Sequence, residues 1–300
     1  MRNFARTISN DIYGTPDCAK IQTLKYTGMQ NVEPPPFVWP EKLYIRLSDE
    51  RLHFARYNEE AGPGFIFSVC PIRRQLSAAE AIQEACAADS VAQGPSSSVE
   101  ILINSAATPI PLTDFQEEDC EAYYYYCFPD TKKKSRVFYD IVAPANVVLL
   151  FALDEAVCQT IEKRYDNVHY SSALTPVLRH FAQKRERPGE RKRLFAYCQE
   201  ATCDIAVFEN GQLLLLNRYE VHDAADTTYY ILNVAQQLGI NSQNSPLTIA
   251  GTGELRNATG KELEQYAPNV CYLNPVAEFQ RHPISQKNGV PYDLMTLLIN

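Results

Sequence analysis

One arrangement of elements, read twice along the chain, limits the fold more than any single motif does. In the first half, "KLYIRLS" and "LHFARYN" flank Asp49–Glu50 and read as a hairpin. "GPGFIFSVCPI" follows a glycine turn as a third strand. "SAAEAIQEACAAD" opens a helix with Ser77 as N-cap and Glu80 three residues later, a capping box. "VEILINS" is a fourth strand. In the second half, "RLFAYCQ", "CDIAVFEN" and "GQLLLLNRYEV" give three strands again. "DAADTTYYILNVAQQLG" is a helix with Asp223 near its start and Gly239 at its end, and "PLTIAG" is the next strand. At a constant offset Leu43 meets Leu194, Asp49 meets Glu200, Ala55 meets Ala206 and Tyr57 meets Phe208. The repeat is one of pattern rather than identity, and it predicts an α/β fold made of two similar units.

Other segments complete the organisation. Residues 1–40 end in "EPPPFVWP", whose prolines favour an extended path, and read as a tail or strap carrying Trp39. In "LTDFQEEDCEAYYYYCF", Thr113 or Asp114 is expected to cap a helix with an acidic first turn. Tyr123–Tyr126 cannot all share one face and read as a strand or helix end. "RVFYDIVA" and "NVVLLFAL" are two further strands, "DEAVCQTIEKRY" a helix, "VHYSS" a short strand and "LTPVLRHFAQKRE" another helix. The charged break "QKRERPGERKR" contains Pro188 and Gly189 and marks a boundary. The expected division is therefore 1–40 (tail), 41–187 (first domain) and 188–300 (second domain with a C-terminal extension).

Charge and cysteine content exclude several classes. The net charge of −8 repels phosphate backbones, so no nucleic-acid partner is expected. Nine cysteines, an odd number scattered over 300 residues, do not form a disulfide framework and suggest a reducing compartment. The start, "MRNFARTISNDIYG", shows no apolar signal core. The most apolar stretch, "IVAPANVVLLFALDEAVC", is interrupted by Pro144, Asn146, Asp154 and Glu155, so no membrane segment is expected. A cytoplasmic location is the simplest reading.

Three strands, a helix and a strand, occurring twice, are the layout of the actin, Hsp70 and sugar-kinase superfamily. The chain resembles one family in particular, domain of unknown function 3822, an uncharacterised group found mainly in Bacteroidetes. The residues carrying the resemblance are "KLYIRLSDERLHFARY", "NVVLLFALDEAV", "SSALTPVLRHFA", "LFAYCQEATCDIAVFENGQLLLLN", "YYILNVAQQLG", "LTIAG" and "PYDLMTLLI", spread over residues 42–300. The resemblance implies an actin-like ATPase fold: two ribonuclease-H-like α/β domains with mixed sheets flanked by helices. It also implies a nucleotide cleft between them.

ATPases of that superfamily place an Asp-x-Gly-x-x-Thr turn in each half and a glycine pair after a later strand. Here Arg46 and Ser48 stand at the Asp and Gly positions of the first turn. In the second, "TCDIAV" keeps Thr202 and Asp204, but Tyr197 takes the leading Asp position and Gln199, Glu200 and Ala201 fall on the glycines. Glu200 would face phosphate with like charge, and Cβ atoms would obstruct the turn. The third element, "LTIAGTGEL", keeps Gly251 and Gly253. They serve either a strand-to-helix turn or a residual adenosine-shaped pocket. The candidate cleft residues are thus Gly251, Thr252, Gly253 and Thr202, with no catalytic residue assigned.

No metal site is expected, since Cys198 and Cys203 lie on two facing strands with no further ligand pair to complete four. His53, His169, His180, His222 and His282 bracket no recognisable nucleophile, and Ser171–Ser172 read as a helix cap. The expected function is a non-catalytic cytoplasmic binding or scaffold protein that holds an unknown protein partner, with no cofactor and with ATP and Mg²⁺ disfavoured. The alternative is a divergent ATP-binding protein, ATPase or phosphotransferase drawing on Asp49, Glu200, Asp204 or Glu254.

Overall fold

The computed structural model describes residues 42–58, 64–73, 75–131, 134–184, 192–279 and 282–299. The N-terminal tail with Trp39 and the expected boundary at 187/188 lie outside the described residues.

The duplicated pattern folds into two sheets of the same order. The first repeat runs β1 (Lys42–Leu47), β2 (Arg51–Asn58), β3 (Gly64–Pro71), α1 (Ala78–Ala88), the short α2 (Ser90–Gln93) and β4 (Ser98–Ile103). An excursion follows through β5 (Ala107–Pro111), α3 (Cys120–Cys127), β6 (Ser135–Val142) and β7 (Val147–Asp154). The chain then returns by α4 (Glu155–Arg164), β8 (Val168–Ser172) and α5 (Leu174–Ala182). The second repeat runs β9 (Lys192–Cys198), β10 (Thr202–Glu209), β11 (Gln212–Glu220), α6 (Ala224–Gln237), β12 (Leu247–Gly251), α7 (Glu254–Leu263) and β13 (Val270–Tyr272). Helices α8 (Pro275–Glu278) and α9 (Tyr292–Ile299) follow.

Sheet one is ordered β3-β2-β1-β4-β8 and sheet two β11-β10-β9-β12-β13. In each, the first three strands pair antiparallel and the later two add in parallel. These are two ribonuclease-H-like mixed sheets flanked by helices, the actin-like arrangement that the resemblance implies. The excursion forms a third sheet, β5-β7-β6, entirely antiparallel.

Burial explains the patterning. β9 and β10 are buried along almost their whole length, so their near-continuous apolar runs face protein on both sides. Helices α1 and α4 cover the outer face of sheet one through Ile82, Cys86, Val157 and Ile161. Helices α6 and α7 cover sheet two through Ile231, Val234 and Leu263. The largest core lies between the sheets, where Val177, Leu178 and Phe181 of α5 and Leu294 and Met295 of α9 meet Phe65, Phe195 and Phe208. Fully burying an aromatic or branched side chain stabilises by roughly 1.5–3 kcal/mol, so this shared core fastens the repeats together. Arg193 of β9 adds a polar tie, donating to the carbonyls of Phe181 and Lys184 at the end of α5.

Local signals match in most places. The Ser77–Glu80 capping box forms, Asp223 caps α6, and Gly239 takes a positive φ of 67° after it. Ser172 Oγ accepts from the Leu174 N–H at the start of α5, while Ser171 donates to Glu100. The expected cap at Thr113 or Asp114 is a correction. Those two side chains bond to each other in a turn, a tight helical turn occupies Glu117–Asp119, and α3 begins only at Cys120. Phe115 packs on Tyr139 of β6 at 5.0 Å between ring centres, which holds the chain off the helix until that contact is passed. No helix among the described residues is long and apolar enough to cross a membrane.

Candidate functional site

The hairpin turns of the two repeats meet between the sheets. Arg51, just after the β1–β2 turn, pairs with Glu200 of the β9–β10 turn at 3.0 Å. Burial, and then a hydrogen bond with Glu50 of the opposite turn, hold the Glu200 carboxyl above its usual range.

Behind this rim lies a closed polar network. Arg46 points inward from β1, and its Nε donates to both Asp293 oxygens at 2.8 Å. Its Nη2 donates to Gln199 Oε1 at 3.0 Å. Tyr197 of β9 donates to Asp293 Oδ2 at 2.9 Å, and the Leu294 N–H donates to Asp293 Oδ1 at 2.6 Å. Gln199 Nε2 passes the chain on to Asp204 Oδ2 at 2.8 Å. Arg218 of β11 grips Asp204 with Nε at 2.7 Å and Nη2 at 2.9 Å, and Nη2 also reaches Asn104 Oδ1 at 2.9 Å. The network therefore ties β1 and the end of β4 to β9, β10, β11 and α9.

Its members are withdrawn from water: Arg46 is 5% exposed, Asp204 2% and Asp293 0%. Two guanidinium and two carboxylate groups sum to zero charge. Burial pulls the Arg46 and Arg218 pKa values down, but Asp293 and Asp204 outweigh it, so both are raised and both side chains stay charged. Burial, with Asp293 beside it, lifts the Tyr197 hydroxyl well above its usual range, so it remains a donor. His53 sits opposite Arg46 across the β1–β2 pair, stacked on Phe67. Burial first, then Arg46 and Arg51, hold it down at about 3. It is neutral at ordinary pH, and its Nδ1 has no hydrogen-bond partner among the described residues.

The four candidate cleft residues stand together at one end of sheet two. Gly251 closes β12 beside Cys198, the residue before Gln199. Cys198 faces Cys203 across the hairpin, next to Thr202. The Thr202 carbonyl accepts from the Gln199 N–H at 2.9 Å. Gly251 has φ 118°, and a Cβ there would lie 2.2 Å from the Cys198 carbonyl oxygen, so strand packing alone demands glycine. Gly253 has φ 98°, and a Cβ there meets nothing within 4 Å. It precedes α7 without a side-chain cap, and Thr252 beside it is exposed.

The four candidate acids differ in setting. Asp204 is bound within the network, Glu200 pairs with Arg51, and Asp49 and Glu254 lie exposed. Among the described residues no group of three His, Cys, Asp or Glu is placed to hold a metal ion. Sequence reasoning missed Asp293, Arg218 and Asn104 as parts of this site. A lone acid in the apolar helical run "PYDLMTLLI" was the one available signal for Asp293.

A family described as protein of unknown function (DUF3822) matches residues 40–270. A crystal structure from Bacteroides thetaiotaomicron, described as a protein with actin-like ATPase fold and unknown function, is similar with 27% identity and a TM-score of 0.72. The match covers 86% of this chain and 95% of that one. A chain of the PilM–PilN type IV pilus biogenesis complex is similar in fold, with 14% identity, a TM-score of 0.52 and coverage of 86% and 97%. No curated protein matches the chain.

Proposed function

This chain belongs to the DUF3822 family, and we propose that it is a non-catalytic, partner-holding member of the actin-like fold, a pseudo-ATPase acting in the cytoplasm. The observation that carries this reading is the Arg46–Asp293 and Gln199–Asp204–Arg218 network, which fills the place between the two hairpin turns. A nucleotide phosphate there meets guanidinium groups already neutralised by carboxylates. Binding it requires expelling a buried carboxylate or leaving like charges in a low dielectric, at several kcal/mol. The Cβ atoms of Gln199, Glu200 and Ala201 take the space that backbone N–H groups need to approach phosphate. PilM, of the same fold, is described in a complex with PilN, which supports a holding role by analogy of fold.

The test is calorimetric titration with ATP and Mg²⁺. The expected result is no saturable heat up to about 1 mM nucleotide, a free energy weaker than roughly −4 kcal/mol. Micromolar binding overturns the reading and favours a divergent nucleotide site. Thr202→Val and Gly253→Ala then report whether Thr202, Gly251, Thr252 and Gly253 form its cleft.

A further inference from the structure

The excursion presents a surface whose residues take no part in the network. From Gln75 to Thr131 the chain has no Lys, Arg or His, and the run ends only at Lys132. Six carboxylates fall within a short part of it: Asp114, Glu117, Glu118, Asp119, Glu121 and Asp130. None of the six has an ion pair among the described residues. All but the half-buried Asp119 are exposed.

Large apolar side chains surface in the same place. Tyr126 is 89% exposed, Tyr123 42% and Ile141 47%, with Leu112 and Tyr139 also uncovered. The surface is continuous in the fold. Helix α3 turns Tyr124 inward against Val148 and Leu150, which leaves Tyr123 and Tyr126 outward. Tyr139 and Ile141 alternate outward along β6, and Tyr139 packs on Phe115. Burial of the Tyr139 ring edge is slight, and Glu117 beside it holds its hydroxyl above the usual range. Tyr139 with Glu117 beside it, and Tyr123 and Tyr126 on a helix with Glu121 in its first turn, suit a cation carried on an aliphatic stem: the ring faces and the acids both attract it, and the stem covers the apolar surface, while the exposed Arg179 donates to the Ile141 carbonyl at the other end of the face.

We propose that the α3–β6 face, built around Tyr123, Tyr126, Tyr139 and Ile141, docks a Lys/Arg-bearing amphipathic segment of a partner protein. Charge complementarity selects this occupant. A second copy meeting the face symmetrically sets its carboxylates against themselves, and an anionic membrane surface repels it. The inference deepens the partner-holding reading but rests on a different face, so the ATP titration and the test below fail independently.

The test is fluorescence anisotropy of a labelled Leu–Lys amphipathic peptide against the full chain, beside a Leu–Glu peptide of the same apolar pattern. The Leu–Lys peptide is expected to bind and the Leu–Glu peptide not. Tyr123→Ala/Tyr126→Ala, at exposed positions, keeps the melting temperature and weakens binding about tenfold. Glu117→Gln/Glu118→Gln/Glu121→Gln weakens it at least as much and flattens its salt dependence. Equal affinity for both tyrosine forms shows a mere polyelectrolyte contact and overturns the proposal. So does concentration-dependent dimerisation in sedimentation that Tyr126→Ala abolishes, because the occupant is then a second copy.

Discussion

Replacing Asp293 by alanine leaves the Arg46 guanidinium buried without its counter-charge. Asp293 accepts from Arg46, from the Tyr197 hydroxyl and from the Leu294 N–H, and none of these has room for bulk water. Gln199, a neutral acceptor at 3.0 Å, is the partner that remains for Arg46 in the network. Removing one member of a buried pair costs about 3–5 kcal/mol. At roughly 2–4 °C per kcal/mol for a chain of this size, the melting temperature falls by about 6–20 °C. Urea unfolding at neutral pH measures the loss directly. The double variant Arg46→Met/Asp293→Leu replaces the pair by apolar groups of similar volume and is expected to recover most of it. The double-mutant cycle then shows a coupling of about 2 kcal/mol or more. A loss below about 1 kcal/mol for Asp293→Ala, the size of an ordinary surface change, refutes the reasoning. It means that solvent reaches Arg46 and that the space between the turns is open.

Gly251→Ala places a Cβ 2.2 Å from the Cys198 carbonyl at φ 118°, so it costs at least about 1–3 kcal/mol in unfolding experiments, more than Gly253→Ala, which meets no neighbour. His53 titrates at about 3 when folded against 6.5 when unfolded. The unfolded chain therefore binds the extra proton between those values, so stability is lost as pH drops through that window, at up to about 1.4 kcal/mol per pH unit. His53→Phe flattens that slope in urea unfolding across pH 4–6.5, and an unchanged slope assigns the acid sensitivity elsewhere. Burial pushes Glu278 up, but His180 and Lys184 outweigh it, so its pKa is lowered below 4.5. Its contribution is present above pH 4.5 and lost as pH falls through the folded value. Glu278→Gln is therefore destabilising at pH 7, with the difference shrinking as pH drops below 4.5.

The duplicated sheets were legible because their signals are local. Alternation, glycine turns, the capping box at Ser77 and the N-cap at Asp223 each act within a few residues, and each half repeats the other's order. The third sheet was half legible. β6 and β7 read as strands, but β5, "ATPIP", carries two prolines and no strand pattern, and its pairing with β7 is set by a tertiary contact. The site was least legible. Arg46 and Asp293 are 247 positions apart, and no periodicity links a strand arginine to an acid in the last helix. The sequence places Arg46 at the Asp position of the first turn, and its partner cannot be named from spacing.

Gln199 shows how the β9–β10 turn ties the two repeats together. The position lies between a buried cation and a buried anion, accepting from Arg46 and donating to Asp204. A primary amide does both at once while staying neutral; a glycine leaves the two ions unbridged, and a glutamate sets a second carboxylate against Asp204. Gln199 thus supplies the link between Arg46 of the first repeat and Asp204 of the second. The hairpin keeps its frame because the Gln199 N–H still bonds to Thr202. On the pseudo-ATPase reading proposed above, this internal contact stands in the space that a phosphate would need.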